Sequence, residues 1–215
     1  MRIISGKYKG RRINAPKNLP VRPTTDMAKE ALFNILNNQF YFDEISVIDL
    51  FSGTGSISYE FASRGTENIV SVDQNFGCIK FINKTSSEFE MPIQTIKSDV
   101  FKFLEQTQLK ATIIFADPPY AFSIDEFSKI PELVFKNSLL ENNGLLVIEH
   151  SKHTSLSELP NFNYSKNYGG SVFSFFVADT STIFILDYLS FNRTWSGPRS
   201  ISHGYTMNAS VVAAK

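Results

Sequence analysis

The sequence predicts an α/β fold built on a mostly parallel β-sheet. An apolar run at residues 45–50 enters a turn that contains Gly53 and Gly55, and an amphipathic helical pattern follows the turn. A second apolar run at residues 68–72 begins shortly after Gly65, a residue type that suits the end of a helix. Strand, helix and strand in this order form the parallel α/β unit.

The rest of the chain continues this alternation and closes with a hairpin. A helix at residues 26–37, capped by Thr24 or Thr25, leads into the first strand. Further helices are predicted at residues 56–64, 76–88, 100–106 and 127–136, and further strands at residues 92–97, 111–116, 144–149, 161–168 and 171–177. Gly169 and Gly170 separate the last two strands, which therefore pair antiparallel. We expect a seven-stranded, mostly parallel sheet with an antiparallel terminal hairpin.

The glycine turn favours a nucleoside ligand over a dinucleotide. A dinucleotide-binding fingerprint needs a third glycine, and Ser58 holds that position. Asp49, near the end of the first strand, could reach a cationic or amine-bearing ligand. Asp73 ends the second strand about 20 residues beyond the turn, which is the spacing of a carboxylate that binds ribose hydroxyls. The pattern indicates a nucleoside without a phosphate requirement.

The fourth strand runs into Asp117-Pro118-Pro119-Tyr120, a tetrapeptide that has little structural reason to exist. Consecutive prolines end the strand and fix the backbone, and Pro118 offers a carbonyl but no N–H. The tetrapeptide therefore presents hydrogen-bond acceptors and an aromatic face. Such a site suits the exocyclic amine of a nucleobase, which would donate to Asp117 and to the Pro118 carbonyl while the base stacks on Tyr120.

These motifs resemble those of S-adenosylmethionine-dependent amino-group methyltransferases. The residues that carry the resemblance are Asp49-Leu-Phe-Ser-Gly-Thr-Gly55, Asp73, Asp99 and Asp117-Pro-Pro-Tyr120. The beginning of the chain is similar to that of RsmD-type ribosomal RNA guanine-N2 methyltransferases, through Arg2-Ile-Ile-Ser-Gly6, Gly10-Arg-Arg12, Arg22-Pro-Thr-Thr25 and Glu30-Ala-Leu-Phe-Asn34. The resemblance covers about residues 1–177. Two departures are that Asp73 stands where the family usually has Glu, and that residues 178–215 have no counterpart.

The resemblance implies a Rossmann-like class I methyltransferase fold with a small basic N-terminal β extension. It implies S-adenosylmethionine as cofactor, bound by Asp49, Phe51, Gly53, Gly55, Asp73 and Asp99. Asp117, Pro118 and Tyr120 would be the catalytic residues. The implied reaction is methyl transfer to the exocyclic N2 of a guanine in 16S (small-subunit) ribosomal RNA, with ribosomal RNA or the small ribosomal subunit as partner.

The distribution of charge supports a nucleic-acid partner although the net charge is zero. Residues 1–30 hold eight Lys or Arg against two acids, a balance of +6, so the remaining 185 residues carry −6. Phosphate contacts need local positive density rather than a basic whole. We predict RNA binding by Arg2, Lys7, Lys9, Arg11, Arg12 and Arg22. A solvated, disordered basic tail is the competing interpretation.

The chain is divided by these signals into a basic hairpin and connector at residues 1–23, a methyltransferase domain at residues 24–177, and an atypical tail at residues 178–215. The tail could be a lineage-specific extension, or a frameshifted or artificially appended one. Residues 182–191 are apolar enough for a strand, and disorder is the other expectation for the tail.

Three residues have a structural interpretation as well as a functional one. Asp99 suits contact with an adenine amine, but it suits the N-cap of the following helix equally well. His150, at the end of the fifth strand, is favoured as a structural residue over an acid or base. Cys78, the single cysteine, is expected to be a buried apolar residue without chemistry.

The sequence weighs against other functional classes. It has no apolar span of about 18 residues, so we expect no membrane contact. The single cysteine agrees with a reducing cytoplasm. We also expect the protein to be a monomer and to bind no metal. DNA adenine-N6 methylation uses the same tetrapeptide, but such enzymes generally carry an inserted recognition domain, for which there is no room. A non-catalytic RNA-binding or ribosome assembly protein is the alternative from another class, and a nicotinamide oxidoreductase is discounted for the missing third glycine.

Overall fold

The computed structural model describes residues 1–16, 19 and 25–178. Seven strands form one sheet: β1 (Ser46–Leu50), β2 (Asn68–Asp73), β3 (Ile93–Lys97), β4 (Ala111–Ala116), β5 (Leu140–Ser151), β6 (Phe162–Tyr168) and β7 (Ser171–Val177). Five helices accompany them: α1 (Asp26–Asn37), α2 (Ser56–Ser63), α3 (Phe76–Glu88), α4 (Val100–Gln106) and α5 (Ile124–Lys136). The predicted α/β class and the terminal hairpin are confirmed.

The order of the strands across the sheet is β3-β2-β1-β4-β5-β7-β6. The first five strands pair in parallel, whereas β7 runs antiparallel to β5 and to β6. The chain moves outward from β1 to β3 and then returns to add β4 on the other side of β1. The direction of winding therefore reverses between β1 and β4, and a ligand crevice is expected at the carboxyl ends of these strands.

Apolar side chains cover the sheet. One buried cluster joins the central strands to α5 through Leu50, Ile114, Ile148, Phe127 and Ile130. Burial of each such side chain stabilises the fold by about 1.5–3 kcal/mol. Because both faces of β4 are covered, its sequence is apolar at every position except Thr112 rather than alternating.

A second cluster joins α1 to α2 through aromatic rings. Phe33 meets Phe61 edge-on with 4.6 Å between ring centroids, and Phe42 lies against both rings. The guanidinium of Arg64 lies 4.6 Å from the centroid of Phe33. These contacts fix the helix that precedes the sheet against the helix that follows the glycine turn.

Residues 1–13 fold back on themselves. The N–H of Ile3 donates to the Arg11 carbonyl (3.0 Å), and the N–H of Gly10 donates to the Ile3 carbonyl (2.9 Å). Ile3 and Ile13 are buried, which anchors the loop to the domain. The predicted hairpin is therefore present, held by one antiparallel bridge between Arg2 and Arg12 rather than by regular strands. It is docked, so the solvated-tail interpretation is wrong for these residues.

The loop lies against α2 through main-chain hydrogen bonds. The N–H groups of Ile4 and Ser5 donate to the two carboxylate oxygens of Glu60 at 2.8 and 3.0 Å. The N–H of Lys7 donates to the Ser63 carbonyl at 2.7 Å. Gly6 has φ +80°, and a Cβ at this position would lie 1.8 Å from the same carbonyl oxygen. Glycine is required here by both the backbone conformation and the close approach.

Glu60 is the centre of a buried ionic cluster. Its side chain and that of Lys29 are almost fully buried, and Arg64 donates from Nε to Glu60 at 3.0 Å. The ammonium of Lys29 lies 3.8 Å from the Glu60 carboxylate and donates to the Arg2 carbonyl at 2.6 Å. Burial lowers the pKa of Lys29, and the Glu60 charge opposes this shift. Lys29, which contributes to the positive balance of residues 1–30, is therefore a structural residue and not part of an exposed basic surface.

Two elements differ from the prediction by more than one residue. α5 begins at Ile124, three residues earlier, because Ser123 and Glu126 form a capping box. β5 extends from Leu140 to Ser151 and includes the polar residues 141–143, where its pairing with β4 shifts register between Ala111 and Ile113.

Within the described residues, none of the helices has both the length and the apolar character needed to span a membrane. Arg22 and the tail from residue 179 onward lie outside the described residues. The predictions made for them, including the strand at residues 182–191, stay predictions.

Replacement of Glu60 with Ala should lower the free energy of unfolding by about 3–5 kcal/mol, because Lys29 would be left buried without its counter-charge. Chemical denaturation measures this loss. Glu105→Ala is the matched control: Glu105 is an exposed acid on α4, and its removal should change stability by less than about 0.5 kcal/mol. Equal losses in the two variants would contradict the role of Glu60.

Candidate active site

A cavity of about 900 Å³ opens at the carboxyl edge of the parallel strands. Its walls come from the segments that follow β1, β2, β3, β4 and β5. Of the residues predicted to bind cofactor or to act in catalysis, the cavity is lined by Asp49, Phe51, Gly53, Asp73, Asp99, Asp117, Pro118 and Tyr120. Gly55 is not among the lining residues.

The turn after β1 is held in a conformation that few residues adopt. Phe51, Gly53 and Gly55 have φ values of 55°, 52° and 81°. The N–H of Ser52 donates to the Val72 carbonyl at 3.0 Å, which ties the turn to the neighbouring strand β2. A Cβ on Gly55 would lie 3.0 Å from atoms of the Ile82 and Tyr59 side chains. Gly55 therefore allows α2 to pack against α3, and Gly53 faces the cavity.

Asp49 is buried beneath this turn and is bound by Ser58, the residue at the third-glycine position. The main-chain N–H of Ser58 donates to Asp49 Oδ2 at 3.2 Å, and its hydroxyl donates to the same oxygen. Burial raises the pKa of Asp49 to about 7, Ser58 opposes the shift, and the charge of Asp73 adds to it. A serine at the third-glycine position is thus explained, because Ser58 donates two hydrogen bonds to the Asp49 carboxylate.

Asp73 connects the end of β2 to the glycine turn. Its Oδ2 accepts from the N–H of Gly53 at 2.8 Å, and its Oδ1 accepts from the N–H of Asn75 at 2.7 Å. The carboxylate is thereby fixed in the cavity wall.

Asp99 has one of the two roles that the sequence left open. It accepts from the N–H of Lys102 at 3.0 Å and is the N-cap of α4, and it also lines the cavity. The capping role is confirmed, and its contact with a ligand stays a prediction.

The Asp117-Pro118-Pro119-Tyr120 loop leaves β4 at the opening of the cavity. The N–H of Asp117 donates to the Leu50 carbonyl at 3.3 Å, which continues the pairing of β4 with β1 by one residue. Pro118 is buried, whereas Tyr120 is 37% exposed and its hydroxyl lies 3.5 Å from Ser171 Oγ. The loop therefore combines a fixed main chain with an aromatic ring that an entering ligand can reach.

Aromatic side chains form a further wall that the sequence did not predict as a unit. Phe122 meets Phe51 edge-on at 5.6 Å and stacks on Phe101 at 5.9 Å between ring centroids. Phe101 lies on α4 and Phe122 lies in the loop between β4 and α5, and neither residue is conspicuous in the sequence. Their common position follows from the convergence of α4 and the β4–α5 loop.

Glu149 is a buried acidic residue of the cavity wall that sequence reasoning missed. It lies near the end of β5, is 2% exposed, and faces the same cavity as Asp117. The sequence contains a pattern that could have identified it. Glu149 is an acid near the end of an apolar strand, which is also the feature that identified Asp49, Asp73 and Asp117.

The adjacent His150, which the sequence offers as a possible acid or base, is not among the residues that line the cavity. His150 is buried, with Nε2 2.8 Å from Ser174 Oγ and Nδ1 2.9 Å from the Ser151 carbonyl oxygen. Burial lowers its pKa. The structural interpretation of His150 agrees with this environment.

Cys78 lines the cavity as a buried thiol. Burial raises its pKa to about 11, so the thiol stays protonated near neutral pH. This agrees with the prediction of a residue without chemistry.

The cavity is thus a concave site with carboxylates on several strands and an apolar wall. Such a site suits a ligand that is cationic, rich in hydrogen-bond donors and partly aromatic. Within the described residues, no group of three or more His, Cys, Asp or Glu side chains is arranged to hold a metal ion.

Comparisons with known proteins find methyltransferases among the relatives of this chain. A family model described as "Conserved hypothetical protein 95" matches residues 1–177. The Bacillus subtilis (strain 168) protein named "Putative rRNA methyltransferase YlbH" is 34% identical over 163 residues, which are 74% of this chain and 86% of that protein. "Ribosomal RNA small subunit methyltransferase D" of Buchnera aphidicola subsp. Baizongia pistaciae is 31% identical over 150 residues, which are 69% of this chain and 75% of that protein.

A solved structure agrees with these relatives. The chain described as "Putative methyltransferase yhhF from Escherichia coli" has a TM-score of 0.71 and 25% identity, and the match covers 82% of this chain and 96% of that chain. The family match spans most of the sequence, from the docked basic loop to the terminal hairpin. The chain therefore belongs to the RsmD family of ribosomal RNA methyltransferases.

Proposed function

We propose that this chain transfers the methyl group of S-adenosylmethionine to the exocyclic N2 of a guanine in small-subunit ribosomal RNA. One observation carries the proposal: the Asp117-Pro118-Pro119-Tyr120 loop opens onto the same cavity as the carboxylates of Asp49 and Asp73. Acceptors suited to an amine thus lie beside acceptors suited to a cationic nucleoside.

The cavity fits S-adenosylmethionine on chemical grounds. The cofactor carries an ammonium group, a ribose diol and an adenine amine, and it supplies a methyl group activated by a sulfonium. Asp49 would hold the ammonium, Asp73 the ribose hydroxyls and Asp99 the adenine amine. The glycine turn allows the ligand to approach the main chain at Gly53. The aromatic wall around Phe101 would exclude water from the apolar part of the cofactor.

The residues of the tetrapeptide would position and polarise the target amine. The lone pair of guanine N2 is delocalised into the base, so the amine is a poor nucleophile. The Asp117 carboxylate and the Pro118 carbonyl would accept its two hydrogens, which favours the geometry with the lone pair toward the methyl group. The negative charge of Asp117 would also stabilise the positive charge that develops on nitrogen.

Tyr120 would hold the target base by stacking, worth about 1–3 kcal/mol. Its partial exposure at the cavity opening supports this role, because the base must leave any stack before it can enter. The amine proton would pass to water after transfer. His150 takes no part, since it does not face the cavity.

The docked N-terminal loop is the proposed RNA-binding surface. Its basic side chains, all exposed, are Arg2, Lys7, Lys9, Arg11 and Arg12. Two of them lie over aromatic rings, Lys7 at 5.1 Å from the centroid of Tyr8 and Arg11 at 5.2 Å from that of Phe89. Arg12 also lines a groove of about 370 Å³ together with Lys80 and Lys84 of α3. A high local density of positive charge beside a groove suits the binding of a phosphate backbone.

The rival functions lose support. The chain is matched by ribosomal RNA methyltransferases over most of its length, and this leaves no inserted domain of the kind that DNA adenine-N6 methyltransferases carry. A purely RNA-binding protein would not need the conformation of the glycine turn or the two acceptors of the tetrapeptide.

Replacement of Asp117 with Ala should lower methyl transfer to RNA by about 10²–10³-fold, because a preorganised acceptor and its charge are lost. Asp117→Asn keeps an oxygen acceptor without the charge. A smaller loss in the Asn variant would assign most of the effect to geometry, and equal losses would assign it to charge. Asp125→Ala removes an exposed acid of the neighbouring helix and should leave turnover unchanged. Full activity of a folded Asp117→Ala protein would contradict the catalytic role.

The affinity for S-adenosylmethionine should rise with pH. If the ammonium binds ionised Asp49, a folded-state pKa of about 7 means that binding is weak below pH 7 and levels off above it. The expected gain between pH 6 and pH 8 is about ten-fold, since a group is about one-tenth ionised one unit below its pKa.

Calorimetry on the protein and on Asp49→Asn separates this effect from titration of the ligand. The variant lacks the titrating carboxyl, so only the slope contributed by the ligand itself should remain. Parallel pH profiles in the two proteins would remove Asp49 from the cofactor site.

Replacement of both Arg11 and Arg12 with Ala should weaken RNA binding and reduce the slope of log affinity against log salt by up to about two units. Cofactor affinity should not change. The matched control replaces Lys102 and Lys110, two exposed lysines outside the loop, and removes the same charge. If the slope of log affinity against log salt falls equally in both double variants, the loop is not a distinct RNA-binding surface. Its charges would then contribute no more than other exposed positive charges.

A further inference from the structure

The buried carboxylate of Glu149 has no part in the mechanism described so far. We propose that Glu149 selects guanine, by accepting the ring N1–H of the base whose N2 amine is bound at Asp117. This inference rests on the proposed function and adds the residue that determines which base is methylated.

The register of the sheet places Glu149 beside Asp117. Ala116 of β4 is the partner of Ile148 of β5. Asp117, which directly follows β4, and Glu149 of β5 therefore come next at the same level. Side chains at equal level on neighbouring strands leave the same face, and the strands lie about 4.8 Å apart. Both residues line the cavity. His150, one residue further, leaves the other face by strand alternation.

Two neighbouring carboxylates match two neighbouring donors on guanine. In guanine the N2 amine stands next to a ring N–H at N1. In adenine and in cytosine, the ring nitrogen next to the exocyclic amine carries a lone pair and no hydrogen. An ionised carboxylate can only accept. With the amine at Asp117, an ionised Glu149 would therefore bind guanine and repel the other two bases.

The surroundings of Glu149 strengthen this discrimination. It is 2% exposed, and its partner on the antiparallel strand β7 is Phe173, which is fully buried. Little water can reach the carboxylate once a base fills the cavity. A wrong base would then leave a buried acceptor facing another acceptor, which costs more than the loss of a solvated hydrogen bond.

The test uses the full-length protein and small-subunit ribosomal RNA without the modification. Mass spectrometry of the nucleosides first identifies the methylated position. That residue is then replaced by 2-aminopurine, which keeps the exocyclic amine but carries no hydrogen on N1, or by adenine. We expect the protein to methylate 2-aminopurine about 100-fold more slowly than guanine.

The variant Glu149→Gln should reduce that preference for guanine to less than about ten-fold, because an amide can donate to a ring nitrogen as well as accept from an N–H. Glu141→Gln changes an exposed acid at the other end of the same strand and should keep the full preference. Cofactor binding and thermal melting of both variants show whether they are folded.

Two results would overturn the assignment: equal rates of the unmodified protein on guanine and 2-aminopurine, or an unchanged preference in folded Glu149→Gln. The first comparison needs no variant, so a misfolded variant does not weaken the test. Failure of the proposed function looks different, since the unmodified protein would then produce no N2-methylguanosine at all.

Discussion

The parallel pairing of β2, β1, β4 and β5 decides where the chemistry of this protein lies. Parallel strands bring all their carboxyl ends to one edge of the sheet, so acids that are 24 to 68 residues from Asp49 in the chain, such as Asp73 and Asp117, meet at one cavity. This convergence is unfavourable for the carboxylates themselves. Burial together with the charge of Asp73 raises the pKa of Asp49. Main-chain N–H groups from Gly53, Asn75 and Ser58 offset part of this cost, and a cationic cofactor would offset more of it.

The N-terminal loop depends on the same framework. It is held on α2 by Glu60, whose charge is balanced in the interior by Lys29 and Arg64. Because α2 begins at the glycine turn, the loop and the active site are attached to the same helix. The basic side chains of the loop would therefore hold RNA in a fixed relation to the cavity, which a flexible basic tail could not do.

Much of this arrangement could be predicted from the sequence, because local signals carried it. The apolar runs located the strands, and the acids that end them marked the cavity. The Asp117-Pro118-Pro119-Tyr120 tetrapeptide was specific enough to indicate the chemistry. The glycines were also visible, although only the structure separates Gly53, which faces the cavity, from Gly55, which serves helix packing.

The remaining features depend on contacts between distant residues. Lys29 reads as one more basic residue, and its burial follows from a partner 31 positions away. The aromatic wall of Phe101 and Phe122 requires α4 and the β4–α5 loop to converge. Glu149 carries the same signal as the predicted acids, but the neighbouring histidine is the more familiar catalytic residue type. Glu149 and His150 leave opposite faces of the sheet, because side chains alternate along a strand. Which of the two faces the cavity can be told only when the strand registers are known.

The proposed reaction at the carboxyl edge of the sheet is methyl transfer to a guanine amine of RNA. The most direct measurement incubates the protein with labelled S-adenosylmethionine and separate pools of small-subunit ribosomal RNA and DNA, then identifies the labelled nucleoside after digestion. We expect label in RNA alone, as N2-methylguanosine. Label in N6-methyladenine of DNA, or no transfer to either pool by folded protein that binds the cofactor, would contradict it.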